Sequence, residues 1–164
     1  MVEENIPPIL GISEIVLSVG DLPAMRAFYR DVLGFALHSE ASHTQGPDAD
    51  STGDPTITFL TIRELETPLG QNGHPQMLVL IDFRRHVFAR KRFTGLDPAQ
   101  SSLNHLAFEI PRGAYDAYKT RLETLGLAPI ETTFPALRAR ALFIKDPEGN
   151  TIELICHDPG AGDA

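Results

Sequence analysis

Two stretches of this chain repeat one another. Residues 12–35 read ISEIVLSVGDLPAMRAFYRDVLGF, and residues 103–127 read LNHLAFEIPRGAYDAYKTRLETLGL. Each runs from an alternating apolar strand into an amphipathic helix that stops at Leu-Gly, at Leu33-Gly34 and again at Leu125-Gly126. The strands superpose with an offset of 91 residues and the helix ends with an offset of 92. Such a repeat constrains the architecture more than any single residue, because both copies must form the same unit. It also puts Glu14 and His105 at equivalent points of equivalent strands.

Around this repeat the periodicity predicts strands over residues 10–19, 35–39, 56–62 and 76–83, with a helix after Asp21. The helix keeps Ala24, Ala27, Phe28, Val32 and Leu33 on one face at helical spacing. The second half repeats the order, with strands over 105–110, 128–133, 139–144 and 151–156 and a helix over 114–125. The fold class expected is α+β, two tandem βαβββ modules. Residues 10–83 form the first module and 103–156 the second, with a linker over 84–102 and frayed tails over 1–9 and 157–164. The polar, Gly- and Pro-bearing segment 42–55 reads as a mobile loop.

At 164 residues the chain suits one domain or two small halves. No apolar run reaches the roughly 18 residues of a membrane span, so no membrane partner is expected. The N-terminus MVEENIPPIL lacks the basic start of a secretory signal, and the single cysteine, Cys156, excludes an internal disulfide. Both point to a cytoplasmic protein. A net charge of −8 argues against nucleic acid as a partner. One basic stretch, Arg84, Arg85, Arg90, Lys91 and Arg92, reads either as a solvated linker or as a guide for an anionic substrate. No nucleophile elbow, phosphate-binding loop or dinucleotide fingerprint is present.

Strand alternation then sorts the side chains by face. Ile15, Leu17 and Val19 point one way, towards the helix of their own half, and Glu14 the other. Leu106, Phe108 and Ile110 oppose His105, Ala107 and Glu109. Ile152, Leu154 and Cys156 oppose Thr151, Glu153 and Ile155. Glu14, His105 and Glu153 therefore share the face away from the helices. His and carboxylate oxygens suit a divalent cation. A mid-strand carboxylate between Ile152 and Leu154 is costly unless paired, protonated or metal-bound.

Three segments carry a family resemblance: VLSVGDLPAMRAFYRDVLGF at 16–35, NHLAFEIP at 104–111 and ARALFIKDPEGNTIELI at 139–155. In them the chain resembles the vicinal oxygen chelate superfamily, which includes glyoxalase I, fosfomycin- and bleomycin-resistance proteins and extradiol dioxygenases. The resemblance implies modules that curl into a partly open, cleft-bearing barrel, with metal ligands on the first and last strands of each module. His105 and Glu153 match that pattern. Glu14 stands where the family commonly has His or Gln. The remaining position falls near Leu78, which binds no metal, with Gln76 and Asp82 as compensating candidates on its face.

Three readings stay open at this point: a facial site of Glu14, His105 and Glu153; ligand sets combined from two chains; or a cleft that binds without a metal. The leading expectation is a metal-dependent lyase or isomerase of the glyoxalase-like kind, using Zn, Ni, Mn or Fe on a small substrate with vicinal oxygens. His105 and Glu153 are ligands in it, and Glu14 is a third ligand or the base. Arg138 and Arg140, Gln76 and Glu109 are candidate substrate contacts. Glu109 reads alternatively as a partner of His105 or a general base. A non-catalytic binding protein and an Fe(II) extradiol-type dioxygenase are the rivals. The family habit implies a homodimer.

Overall fold

The computed structural model describes residues 8–44, 53–90, 93–97 and 100–162. The chain forms β1 (Glu14–Val19), α1 (Leu22–Ala27), β2 (Ala36–Ala41), β3 (Ile57–Arg63), a short α2 (Pro68–Gln71) and β4 (Gln76–Asp82). It continues with β5 (Leu106–Glu109), α3 (Tyr115–Thr124), β6 (Ile130–Phe134), β7 (Ala139–Lys145) and β8 (Thr151–His157). This is the βαβββ order twice over. Each set of four strands makes an open mixed sheet, ordered β1-β4-β3-β2 and β5-β8-β7-β6, in which the first and last strands of the set pair in parallel. Among the described residues no helix is long and apolar enough to cross a membrane.

The helix stops read from Leu-Gly have a backbone cause. Gly34 and Gly126 sit at φ 83° and 76°, the left-handed region a side chain disfavours. At the second stop, Gly126 and Leu127 donate back to the carbonyls of Glu123 and Leu122, closing the last turn.

The contacts divide the chain into two compact units, one of residues 1–22 and 34–93, the other of residues 23–33 and 94–164. Sequence order gives the first helix to the first half, but its contacts give it to the second unit. After Ala27 the helix widens into a π-helical turn, Phe28–Val32, closed by a 3.2 Å bond from Leu33 N–H to the Phe28 carbonyl. Its last carbonyls would otherwise lack partners. Arg121 of α3 donates to the carbonyls of Asp31 and Val32, and the Tyr118 hydroxyl to that of Leu33. The fully buried Tyr29 donates to Asp146 Oδ2 at 2.9 Å. Burial, and then the Asp146 charge, push the Tyr29 phenol far above its ordinary range.

Asp146 organises the turn between β7 and β8. Its carboxylate also accepts from the N–H groups of Glu148 and Asn150 and from Asn150 Nδ2, at 2.8–3.0 Å. Four donors on one buried carboxylate fix where β8 begins and so where Glu153 lands.

Residues 157–162 of the tail expected to fray are tied down, and 163–164 lie outside the described residues. His157 completes β8, and Asp158 bridges Arg112 at 3.1 Å and Arg140 at 3.3 Å. Ala161, in the turn Pro159–Gly162, is buried. Residues 1–7 of the other expected tail, and 45–52 of the expected loop, lie outside the described residues, as do Lys91 and Arg92 of the basic stretch.

Candidate functional site

The second unit brings His105 and Glu153 together. Glu153 sits in the middle of β8 between Ala107 of β5 and Phe143 of β7, its partners in register. Ala107 is small, which leaves room for the His105 ring two residues earlier on the same face. His105 Nε2 lies 3.0 Å from Glu153 Oε2. The carboxylate is buried, with 5% of its side chain exposed, while the imidazole keeps 36%. The other ring nitrogen, Nδ1, is 2.7 Å from Asn104 Oδ1, and the ring meets Phe143 edge to face at 5.8 Å. Asn104 thus accepts a proton held on Nδ1. That leaves Nε2 either to share a proton with Glu153 or to offer a lone pair to a cation.

The spacing fits a divalent metal. Two ligands each about 2.1 Å from one cation and at a right angle to each other stand about 3 Å apart. The neutral-imidazole tautomer with its second nitrogen bonded to an oxygen is the usual arrangement of a ligating histidine. His105 and Glu153 supply two ligands. Among the described residues of either unit, no three His, Cys, Asp or Glu side chains gather into a cage.

Beside the pair is a polar cavity of about 310 Å³, bordered by Ser101, His105, Lys145, Asn150 and Thr151. The Lys145 ammonium donates to Thr151 Oγ1 at 2.5 Å and keeps two further protons for an oxygen ligand. Asn104, Phe143, Lys145 and Thr151 were not read from the sequence as site residues. Lys145 was within reach of that reading: it alternates with Ile144 and so shares the face of Phe143 and Glu153.

In the first unit Glu14 pairs with His74, Oε2 to Nε2, at 3.8 Å, with both side chains about one-third exposed. Glu14 stands in register with Met77, so its face of the sheet continues through Met77, Val79 and Ile81 of β4. Phe59 and Ile57 extend that face in β3 and Ala41 in β2. Together these side chains form one apolar cluster. The position equivalent to Glu153 is therefore Val79. Leu78 lies on the opposite face, and with it Gln76 and Asp82, which cannot compensate there. Gln76 Nε2 donates to the Ile12 carbonyl. Asp82, 2% exposed, accepts from Arg84 N–H and faces the Arg84 and Arg85 guanidinium groups.

The arginine pair also separates. Arg140 pairs with Cys156, on the face of Leu142 and Leu154, and its guanidinium stacks 3.9 Å over the Tyr115 ring of α3. Its ion pairs run to Asp158 and Asp116. Arg140 thus fastens α3 to the sheet and is turned from the Glu153 face. Burial, followed by the charge of Glu131, raises the Tyr115 phenol to about 12. Arg138 stands before β7 in a turn at φ 49°, so strand alternation does not govern it. Glu109 is exposed on the His105 face. Four strand residues span about 13 Å, too far for it to hold the His105 ring.

Residues 11–154 match the sequence model of the family described as Glyoxalase/Bleomycin resistance protein/Dioxygenase superfamily. No curated protein matches the sequence. Among solved structures, the glyoxylase/bleomycin resistance protein/dioxygenase domain from Frankia sp. EAN1pec is 20% identical, with a TM-score of 0.63 over 93% of this chain and 96% of that one. Lactoylglutathione lyase from Agrobacterium tumefaciens is 24% identical, TM-score 0.56, over 92% and 96%. The fosfomycin resistance protein FosX from Listeria monocytogenes, in complex with Mn(II) and sulfate, is 19% identical, TM-score 0.58, over 91% and 93%. At these identities the solved structures establish the shared fold.

Proposed function

The chain belongs to the glyoxalase/bleomycin resistance protein/dioxygenase superfamily, and from that premise we propose a metal-dependent, glyoxalase-like lyase or isomerase acting on a small substrate held through adjacent oxygens. One observation carries the reading: a carboxylate buried in mid-strand, Glu153, sits 3.0 Å from an imidazole nitrogen. His105 and Glu153 would hold the cation, one of Zn, Ni, Mn or Fe. When bound, that cation supplies positive charge where negative charge develops on a substrate oxygen. Asn104 keeps the His105 proton on Nδ1, so that Nε2 stays directed at Glu153. Phe143 walls the pair on one side and keeps water from its flank. Lys145, held by Thr151, offers its ammonium to an anionic or oxyanionic group in the adjoining cavity. Glu14 has its own pair with His74, and the proposal does not rest on it.

Elemental analysis of untagged protein tests this. Near-stoichiometric divalent metal is expected in the wild type, falling at least tenfold in Glu153→Gln and in His105→Ala. Wild-type protein without metal, even after incubation with each cation, would overturn the reading. The apolar face around Val79 favours a second one. A non-catalytic protein that binds a small apolar molecule on this fold would keep its ligand after chelation, and the lyase would not.

A further inference from the structure

The first unit carries a groove that the reading above does not use. It has a volume of about 490 Å³ and runs between the segment leading into β1 and the segment that joins β3 to β4. Small-molecule sites in proteins typically occupy about 300–1,000 Å³. Its apolar lining is Leu10, Ile12, Leu65, Pro68 and Leu69. Leu10, Ile12 and Leu69 are 68%, 60% and 47% exposed, a large amount of greasy surface for one place.

The walls are built rather than loose. Gln76 Nε2 holds the Ile12 carbonyl at 2.9 Å on one side. On the other, the Thr67 side chain caps α2 by accepting from Gly70 N–H. Gly70 is there because nothing larger fits: a Cβ at this position would stand 2.1 Å from the Leu65 carbonyl oxygen. That close approach presses the α2 turn against Leu65 and shapes the groove.

Among the described residues one cation, Arg63, lines the groove and no carboxylate does. In a chain of net charge −8 that is a selective arrangement. The Arg63 side chain, at the end of β3, has no ion-pair or hydrogen-bond partner among the described residues. Its neighbours in sequence, Glu64 and Glu66, are outside the lining, and Glu14 faces His74.

We propose that this groove is a binding site for a small amphipathic anion, an aliphatic or aryl carboxylate whose tail lies along Leu10, Ile12 and Leu69 and whose head pairs with Arg63. A guanidinium suits a carboxylate through two parallel hydrogen bonds, and an apolar groove with a single charge in its wall orients such a molecule head to tail.

Isothermal titration with decanoate and decan-1-ol, on the full chain, tests the assignment. Wild type binds decanoate one to one and the neutral alcohol about tenfold more weakly, as expected for one charge-assisted contact. Arg63→Gln lowers decanoate affinity about tenfold and leaves the alcohol unchanged. Leu69→Asp, at a half-exposed position that tolerates the change, abolishes both. Decanoate binding equal in wild type and Arg63→Gln overturns the proposal. So does a wild type that ignores decanoate but is a dimer by sedimentation and a monomer as Leu69→Asp, since the groove is then closed by a second copy.

Discussion

The two sheets repeat one strand order and differ most tellingly at the positions that could hold a cation. At the β8 site the second unit has Glu153, buried, with His105 Nε2 at 3.0 Å. At the matching site of β4 the first unit has Val79, 1% exposed, among Ile57, Phe59, Met77 and Ile81. At the first-strand site the second unit offers an imidazole and the first a carboxylate, which found an imidazole from a loop, His74, at a looser 3.8 Å. A strand can bury a charge only where a neighbour supplies its counterpart. The second unit has that neighbour, His105, at the residue just before β5. The first unit has apolar side chains there.

The largest effect should come from making the first sheet imitate the second. Val79→Glu places a carboxylate in an apolar cluster without a partner, and a loss of about 3–5 kcal/mol is expected in urea denaturation. The reverse change, Glu153→Val, removes a buried charge and leaves a part-exposed imidazole that water can serve. Stability should stay within about 1 kcal/mol while metal is lost. Equal losses in both variants would show that the two sites are not the opposites described.

Next is the bond that fastens the first helix into the second unit. Tyr29→Phe leaves the packing and removes the donor to Asp146, with an expected cost of about 1.5–3 kcal/mol for a hydrogen bond to a buried carboxylate. An unchanged denaturation midpoint would mean that the Asp146 turn holds without it.

The partner of the imidazole is a finer test of the second unit. Asn104→Ala should weaken metal binding about tenfold in a chelator competition, with little effect on folding, because it frees the tautomer of His105. Affinity equal to wild type would reduce Asn104 to a bystander.

The smallest effect belongs to the first unit. His86 is 1% exposed and its Nδ1 accepts from Phe88 N–H at 3.2 Å. Its pKa lies below the ordinary histidine value, chiefly through burial and then the nearby His43, with Asp82 opposing. The unfolded chain therefore takes up this proton before the folded one does. Stability should be complete above about pH 6.5 and decline as pH falls from there towards the depressed folded value. His86→Gln should flatten that slope, and an identical slope would place the titration elsewhere.

Much of this was legible in the sequence. The eight strands and both long helices fall within a few residues of where periodicity puts them, because apolar alternation and the two Leu-Gly stops are local signals. The faces of Glu14, His105 and Glu153 follow from alternation too. The failure at β4 is instructive. In QMLVLID, residues 76–82, four consecutive positions are buried, so the run has no alternation to reveal its parity. The sequence points to Leu78 where the register places Val79, and one residue moves a side chain to the other face. Arg140 failed differently: an Arg in a strand reads as solvent- or ligand-facing until the Tyr115 ring beneath it is seen.

The sequence by itself determined the duplicated βαβββ order, the family resemblance and the shared face of a carboxylate and an imidazole on their strands, since these depend on residue order and local periodicity. Only the tertiary structure decided that the first helix is bonded into the second unit, that Asn104 and Lys145 attend the His105–Glu153 pair, that Glu14 meets His74, and that Arg63 lines an apolar groove. Each of those joins residues distant in the chain or depends on which buried face a strand turns inward, and no local pattern records either.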